Sequence, residues 1–130
     1  MRVLFVDDDP VLRKLGDHAL GELGGMSVVT AADGAEALAA VDRTAPDAIL
    51  LDYLMPDMNG DAVLAILASS PATRNIPVVF LTGVDDEDEL RQLLAAGAIG
   101  CLTKPFDPMT LAEDLKRVLR SAPHHDSSGS

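Results

Sequence analysis

A single cysteine, Cys101, stands in the 130-residue chain, which excludes an internal disulfide. With no Cys/His spacing of the zinc type, it also excludes a structural zinc site. Such sparing use of cysteine fits a reducing compartment, the cytoplasm. No apolar run exceeds strand length, so no membrane span is expected. Met1-Arg2 leads straight into a strand-like run with no cleavage-site pattern, so no signal peptide is expected either. Basic residues are scarce: 10 Lys and Arg face 21 Asp and Glu, a formal charge of −11. That balance argues against binding nucleic-acid phosphates and favours cations or basic protein surfaces as partners. What is present is 48% apolar residues, enough for the core of one domain of ordinary size.

Four short runs rich in branched or aromatic residues recur: Val3-Leu4-Phe5-Val6, Ser27-Val28-Val29-Thr30, Ala48-Ile49-Leu50-Leu51 and Val78-Val79-Phe80-Leu81. Three of them are apolar throughout, as strands buried on both faces must be. Ile99-Gly100-Cys101-Leu102 is a weaker fifth. Helical spacing fills the intervals: Leu12, Leu15, Ala19 and Leu23; Ala37, Leu38 and Val41; Val63, Leu64, Ile66 and Leu67. It continues with Leu90, Leu93 and Leu94, then Leu111, Leu115, Val118 and Leu119. Asp9-Pro10 and Asp107-Pro108 each set a capping carboxylate before a proline suited to the first helical position. Asp33 and Glu36 have capping-box spacing. Fivefold βα alternation with short links predicts a doubly wound parallel sheet with helices on both faces, in one domain over residues 1–120. From Ser121 to Ser130 the composition turns to Ser, Ala, Pro, His, Asp and Gly, which predicts a disordered tail or truncated linker.

Open parallel sheets bind ligands at the carboxyl ends of their strands. Asp7 and Asp8 follow the first strand, Asp52 ends the third, Thr82 and Gly83 end the fourth, and Lys104-Pro105 lies beyond the fifth. Three carboxylates, a hydroxyl and an ammonium thus converge on one edge. Carboxylates about 4 Å apart repel by roughly 1 kcal/mol per pair in water and about 4 at an effective dielectric of 20. Proton uptake by one of them or a hard divalent cation would offset this, and Mg2+ suits a small oxygen-rich site completed by a phosphate.

The segments Val6-Asp7-Asp8-Asp9-Pro10, Asp52-Tyr53-Leu54-Met55-Pro56-Asp57-Met58-Asn59-Gly60, Leu81-Thr82-Gly83, Ala96-Gly97-Ala98 and Leu102-Thr103-Lys104-Pro105-Phe106 resemble the receiver domains of two-component response regulators. The likeness runs from residue 2 to about 120, in order and at family spacing. It implies a flavodoxin-like fold, (βα)5, with strand order 2-1-3-4-5. It implies that Asp52 is the nucleophile that becomes an acyl phosphate. Asp8, Asp52 and the Leu54 carbonyl would ligate Mg2+, with Asp7 acting mainly through bound water. Thr82 and Lys104 would contact phosphoryl oxygens, and the Lys104–Pro105 peptide would be cis. The implied role is a signalling phosphoacceptor rather than an enzyme. Its partners would be a sensor histidine kinase or phosphotransfer protein and a downstream effector, and no motif encodes or excludes a homodimer.

Two features depart from the family or modulate it. Three residues before the lysine, where an aromatic switch residue is common, stands Cys101, expected to pack as a small apolar residue under the last helix. Leu54 and Val84 are apolar and are expected to shield the acyl phosphate from water. The acidic run at residues 85–89 reads as favourable charge at the start of the fourth helix. His18, His124 and His125 have no ligand-like spacing, and Met55 and Met58 read as loop packing. Other functions compete less well. An aspartyl-phosphate phosphatase needs an acid two residues after the nucleophile, where Leu54 stands. A flavin-binding protein needs a phosphate loop after the first strand, and none is present. A degenerate receiver acting as an interaction platform remains open at the output step through Cys101.

Overall fold

A computed structural model describes residues 1–83 and 87–121. The strands are β1 (Arg2–Val6), β2 (Ser27–Ala31), β3 (Ala48–Asp52), β4 (Val78–Thr82) and β5 (Gly100–Thr103). They alternate with helices α1 (Pro10–Asp17), α2 (Gly34–Thr44), α3 (Gly60–Ala68), α4 (Glu87–Ala95) and α5 (Leu111–Ser121). All pairings are parallel and the sheet order is β2-β1-β3-β4-β5, as the resemblance implies. Every residue of β3 and β4 is buried, which accounts for their unbroken apolar runs.

Strand alternation sorts the core into two layers. Leu4, Val6, Ile49, Leu51, Val78 and Phe80 pack with residues of α2, α3 and α4. Val3, Phe5, Leu50, Val79 and Leu81 pack on the other face with Ala19 and Leu20, just beyond α1, and with α5, while Gly16 of α1 lies against Phe5. Each fully buried side chain of this size contributes roughly 1.5–3 kcal/mol relative to exposure. Cys101 lies in the first layer, against the side covered by α2 to α4, whereas α5 covers the second. The expectation that it packs under the last helix is therefore corrected. On β5 it is Leu102 that points toward α5, because neighbouring side chains alternate.

The first helix also differs from its apolar spacing. α1 gives way to a π-helical turn, His18–Glu22, whose wider turn re-phases the side chains. Gly16, Ala19 and Leu20 are buried while Leu23 is turned out and 48% exposed. Ile66 and Leu94, counted with the apolar stripes of α3 and α4, are likewise exposed. Asp9 caps α1 as expected, accepting from the N–H groups of Val11 and Leu12. Asp33 accepts from Glu36 N at 2.8 Å, but the Glu36 carboxylate returns to Ala32 N rather than to the cap residue. Asp107 caps a turn before α5, which begins at Leu111 and not at Pro108. α5 runs through Ser121. Val84, Asp85, Asp86 and the segment 122–130, with His124 and His125, lie outside the described residues.

Candidate functional site

Among the described residues the buried polar side chains are Asp7, Asp52 and Thr82, and all three sit at the carboxyl edge of the sheet. Asp7 continues β1 by one rung, its N–H donating to the Ala31 carbonyl at 3.1 Å. The turn that follows is held twice: Asp9 N donates to Asp7 Oδ1 at 2.9 Å, and Arg13 Nη1 donates to the Asp7 carbonyl at 2.8 Å. Asp52 closes β3, and Thr82 closes β4 opposite Thr103. Lys104 follows β5, its N–H donating to the Thr82 carbonyl at 2.9 Å, and the Lys104–Pro105 peptide is cis.

These positions bring one oxygen each of Asp7, Asp8 and Asp52 within 4.8 Å of one another. Lys104 Nζ lies 3.3 Å from Asp7 Oδ2 and 3.4 Å from Asp52 Oδ2. Burial, with the charge of Asp7 beside it, raises the Asp52 pKa from 3.8 to about 6 against the opposing pull of Lys104. Burial also works against the Lys104 ammonium, but Asp52 and Asp7 outweigh it and hold its pKa above the ordinary value. Asp7 is fully buried, and its Oδ2 is faced by the same Lys104 ammonium that Asp52 shares. Three carboxylates brought together, two of them buried and sharing one ammonium, leave uncompensated negative charge that fits a hard divalent cation.

The segment from β3 to α3 closes over this edge. Tyr53 N donates to the Leu81 carbonyl at 3.3 Å, and Gly60 N donates to the Tyr53 carbonyl at 2.6 Å, so residues 54–59 form a closed loop. Only glycine fits at 60, where a Cβ would stand 2.5 Å from Phe80 Cε1. The Leu54 N–H opposes the rise of the Asp52 pKa, while the Leu54 side chain is 64% exposed. Met55 is buried, Met58 packs against the core, and the Tyr53 ring meets Phe80 edge-on. His18 pairs with Glu22 at 3.1 Å on the surface. Burial pushes the Cys101 thiol up, which disfavours a reactive thiolate. Arg13 and Asp57 escaped the sequence reading. Their partners are backbone groups, which leave no trace in residue types.

The model of the family described as response regulator receiver domain matches residues 3–116. The chain belongs to that family. Response regulator PleD of Caulobacter vibrioides is 41% identical to this receiver domain over 120 residues, 92% of the chain and 26% of PleD. The phosphate regulon transcriptional regulatory protein PhoB of Pseudomonas aeruginosa is 36% identical over 125 residues, 96% of the chain and 54% of PhoB. The receiver therefore spans between a quarter and about half the length of these relatives. Among solved structures, the chemotaxis response regulator CheY4 of Vibrio cholerae superposes with a TM-score of 0.84 at 37% identity, covering 90% of this chain and 97% of that one. Among the described residues no helix is long and apolar enough to cross a membrane.

Proposed function

We propose that this receiver takes a phosphoryl group from a phosphohistidine onto Asp52 and passes the signal on by changing its partner preference. The observation that carries the reading is the meeting of Asp7, Asp8 and Asp52 within 4.8 Å, with Lys104 Nζ 3.4 Å from Asp52 Oδ2. An Asp52 carboxylate oxygen attacks phosphorus, the P–N bond breaks, and the electron pair leaves with the donor imidazole. The product is an acyl phosphate on Asp52. Mg2+ is the proposed cation, held by Asp8, Asp52 and the Leu54 carbonyl with Asp7 acting through water. Once bound, it neutralises charge on the phosphoryl oxygens.

The chain's own groups supply the rest. Lys104 offers its ammonium to one phosphoryl oxygen and Thr82 its hydroxyl to another, both delivered by strand ends that differ little in depth. Asp7 keeps Lys104 anchored beside the nucleophile. Positioning and charge neutralisation are most of what phosphoryl transfer requires. Val11, Leu54 and Met109 are large, exposed apolar side chains on segments leaving this edge, and they supply contact surface for a sensor kinase or phosphotransfer protein. The receiver is placed in the cytoplasm, where such donors act, with an effector protein or domain downstream. Incubation with Mg2+ and a small acyl phosphate, followed by intact mass, tests the reading. A single phosphoryl adduct is expected on the wild type and none on Asp52→Asn; an adduct on both or on neither overturns it.

A further inference from the structure

Asp57 lies in the β3–α3 loop, is exposed, and ranks as an ordinary solvated acid by position alone. Its carboxylate is nonetheless fully engaged with backbone. Oδ1 accepts from Gly34 N at 3.0 Å and from Met58 N at 2.9 Å, and Oδ2 accepts from Ala35 N at 3.0 Å. Gly34 and Ala35 are the first two residues of α2, so Asp57 takes helix N–H groups that the local cap, Asp33, does not reach. The helix dipole adds to the attraction. These N–H groups, that of Gly34 foremost, hold the Asp57 carboxyl below the usual carboxylate range.

Met58 tightens the same junction. A Cβ on Gly34 would stand 2.4 Å from Met58 Cγ, so the loop lies directly on the helix start. The loop is tied at its base by Gly60 N to the Tyr53 carbonyl and at its tip by Asp57 to α2. Leu54 sits between those two ties, and its side chain is too exposed to anchor the backbone by packing. Orientation of the Leu54 carbonyl therefore depends on the ties together with Met55, buried next to it.

We propose that Asp57 is a positioning residue: by clamping the β3–α3 loop to the N-terminus of α2, it holds the Leu54 carbonyl at the acidic pocket for a divalent cation. This rests on the reading of the pocket as a Mg2+ site. Groups that orient metal ligands without touching the metal typically change affinity by about tenfold or more when removed.

The chain has one tyrosine and no tryptophan, so the fluorescence of Tyr53, next to Asp52, follows a Mg2+ titration. Asp57→Ala is expected to weaken Mg2+ binding by about tenfold, with Asp57→Asn in between because it keeps one acceptor oxygen. Amide exchange at Gly34 and Ala35 should accelerate in Asp57→Ala. Asp33→Ala, which removes the local cap of the same helix, should leave Mg2+ affinity unchanged. Unaltered affinity in Asp57→Ala, or equal weakening by Asp33→Ala, overturns the proposal while leaving the Mg2+ site standing. A wild type that binds no Mg2+ overturns both.

Discussion

At the scale of single residues the tension of the site is concentrated on Asp52. Burial and the neighbouring Asp7 raise its pKa to about 6, above the 3.8 of an unperturbed carboxyl. Between those values the folded protein keeps a proton that the unfolded chain has lost. Stability therefore falls as pH rises through that window, and the full penalty applies above it. Without divalent cations, Asp52→Asn is expected to be more stable than the wild type at about pH 8, by on the order of 2 kcal/mol. The advantage should shrink as the pH falls through about 6 toward 4. Thermal melts of both proteins at the two ends of that range check it; a difference that does not vary with pH contradicts it. Asp7, Asp8, Asp52, Thr82 and Lys104 were all legible in the sequence, because each stands at the end of an apolar run. Asp57 was not, since its two partners on α2 lie 22 and 23 residues away along the chain.

Secondary-structure elements were legible wherever a local signal sufficed and misread where contact between elements intervened. Asp9-Pro10 marks the start of α1 through local capping, and the structure agrees. The end of that helix depends on the sheet beneath it. Gly16 lets α1 press onto Phe5, where a Cβ would come within 2.5 Å of the ring, and the π-helical turn then brings Leu20 into the core beside Ala19 and turns Leu23 out. Gly16→Ala is expected to destabilise the protein by about 1–2 kcal/mol: overpacking costs about 1–3, and better helix propensity returns up to about 1. The Phe5 ring is fully buried and meets Phe106 edge-on, which leaves it little room to yield. Urea denaturation measures the change, and a neutral or stabilising result would show that the contact relaxes freely. Cys101 teaches the same lesson for strands. Its residue type suggested a packed position, but its face followed from the alternation along β5.

For the whole molecule, the net charge of −11 resolves into local features. Asp7, Asp8 and Asp52 share one pocket, and Glu87 and Asp88 open α4, where Asp88 pairs with Arg91. A cation that binds the pocket only when the sheet is formed must stabilise the fold. Mg2+ at about 100 times its Kd should add ~2.7 kcal/mol, a rise of several degrees in Tm for a domain of this size. Asp8→Asn should lose most of that rise, and a wild-type Tm indifferent to Mg2+ would contradict the site. By itself the sequence determined the alternation of strands and helices and the edge that carries the acids, because apolar periodicity and strand ends are local properties of residue type. Only the tertiary structure decided that Asp7 and Asp52 are buried sharing the one Lys104 ammonium, that α1 ends in a π-helical turn, and that Asp57 clamps α2. Each of these depends on where the ammonium, backbone N–H groups and ring faces arrive from distant parts of the chain, and backbone groups are the same whatever residue carries them.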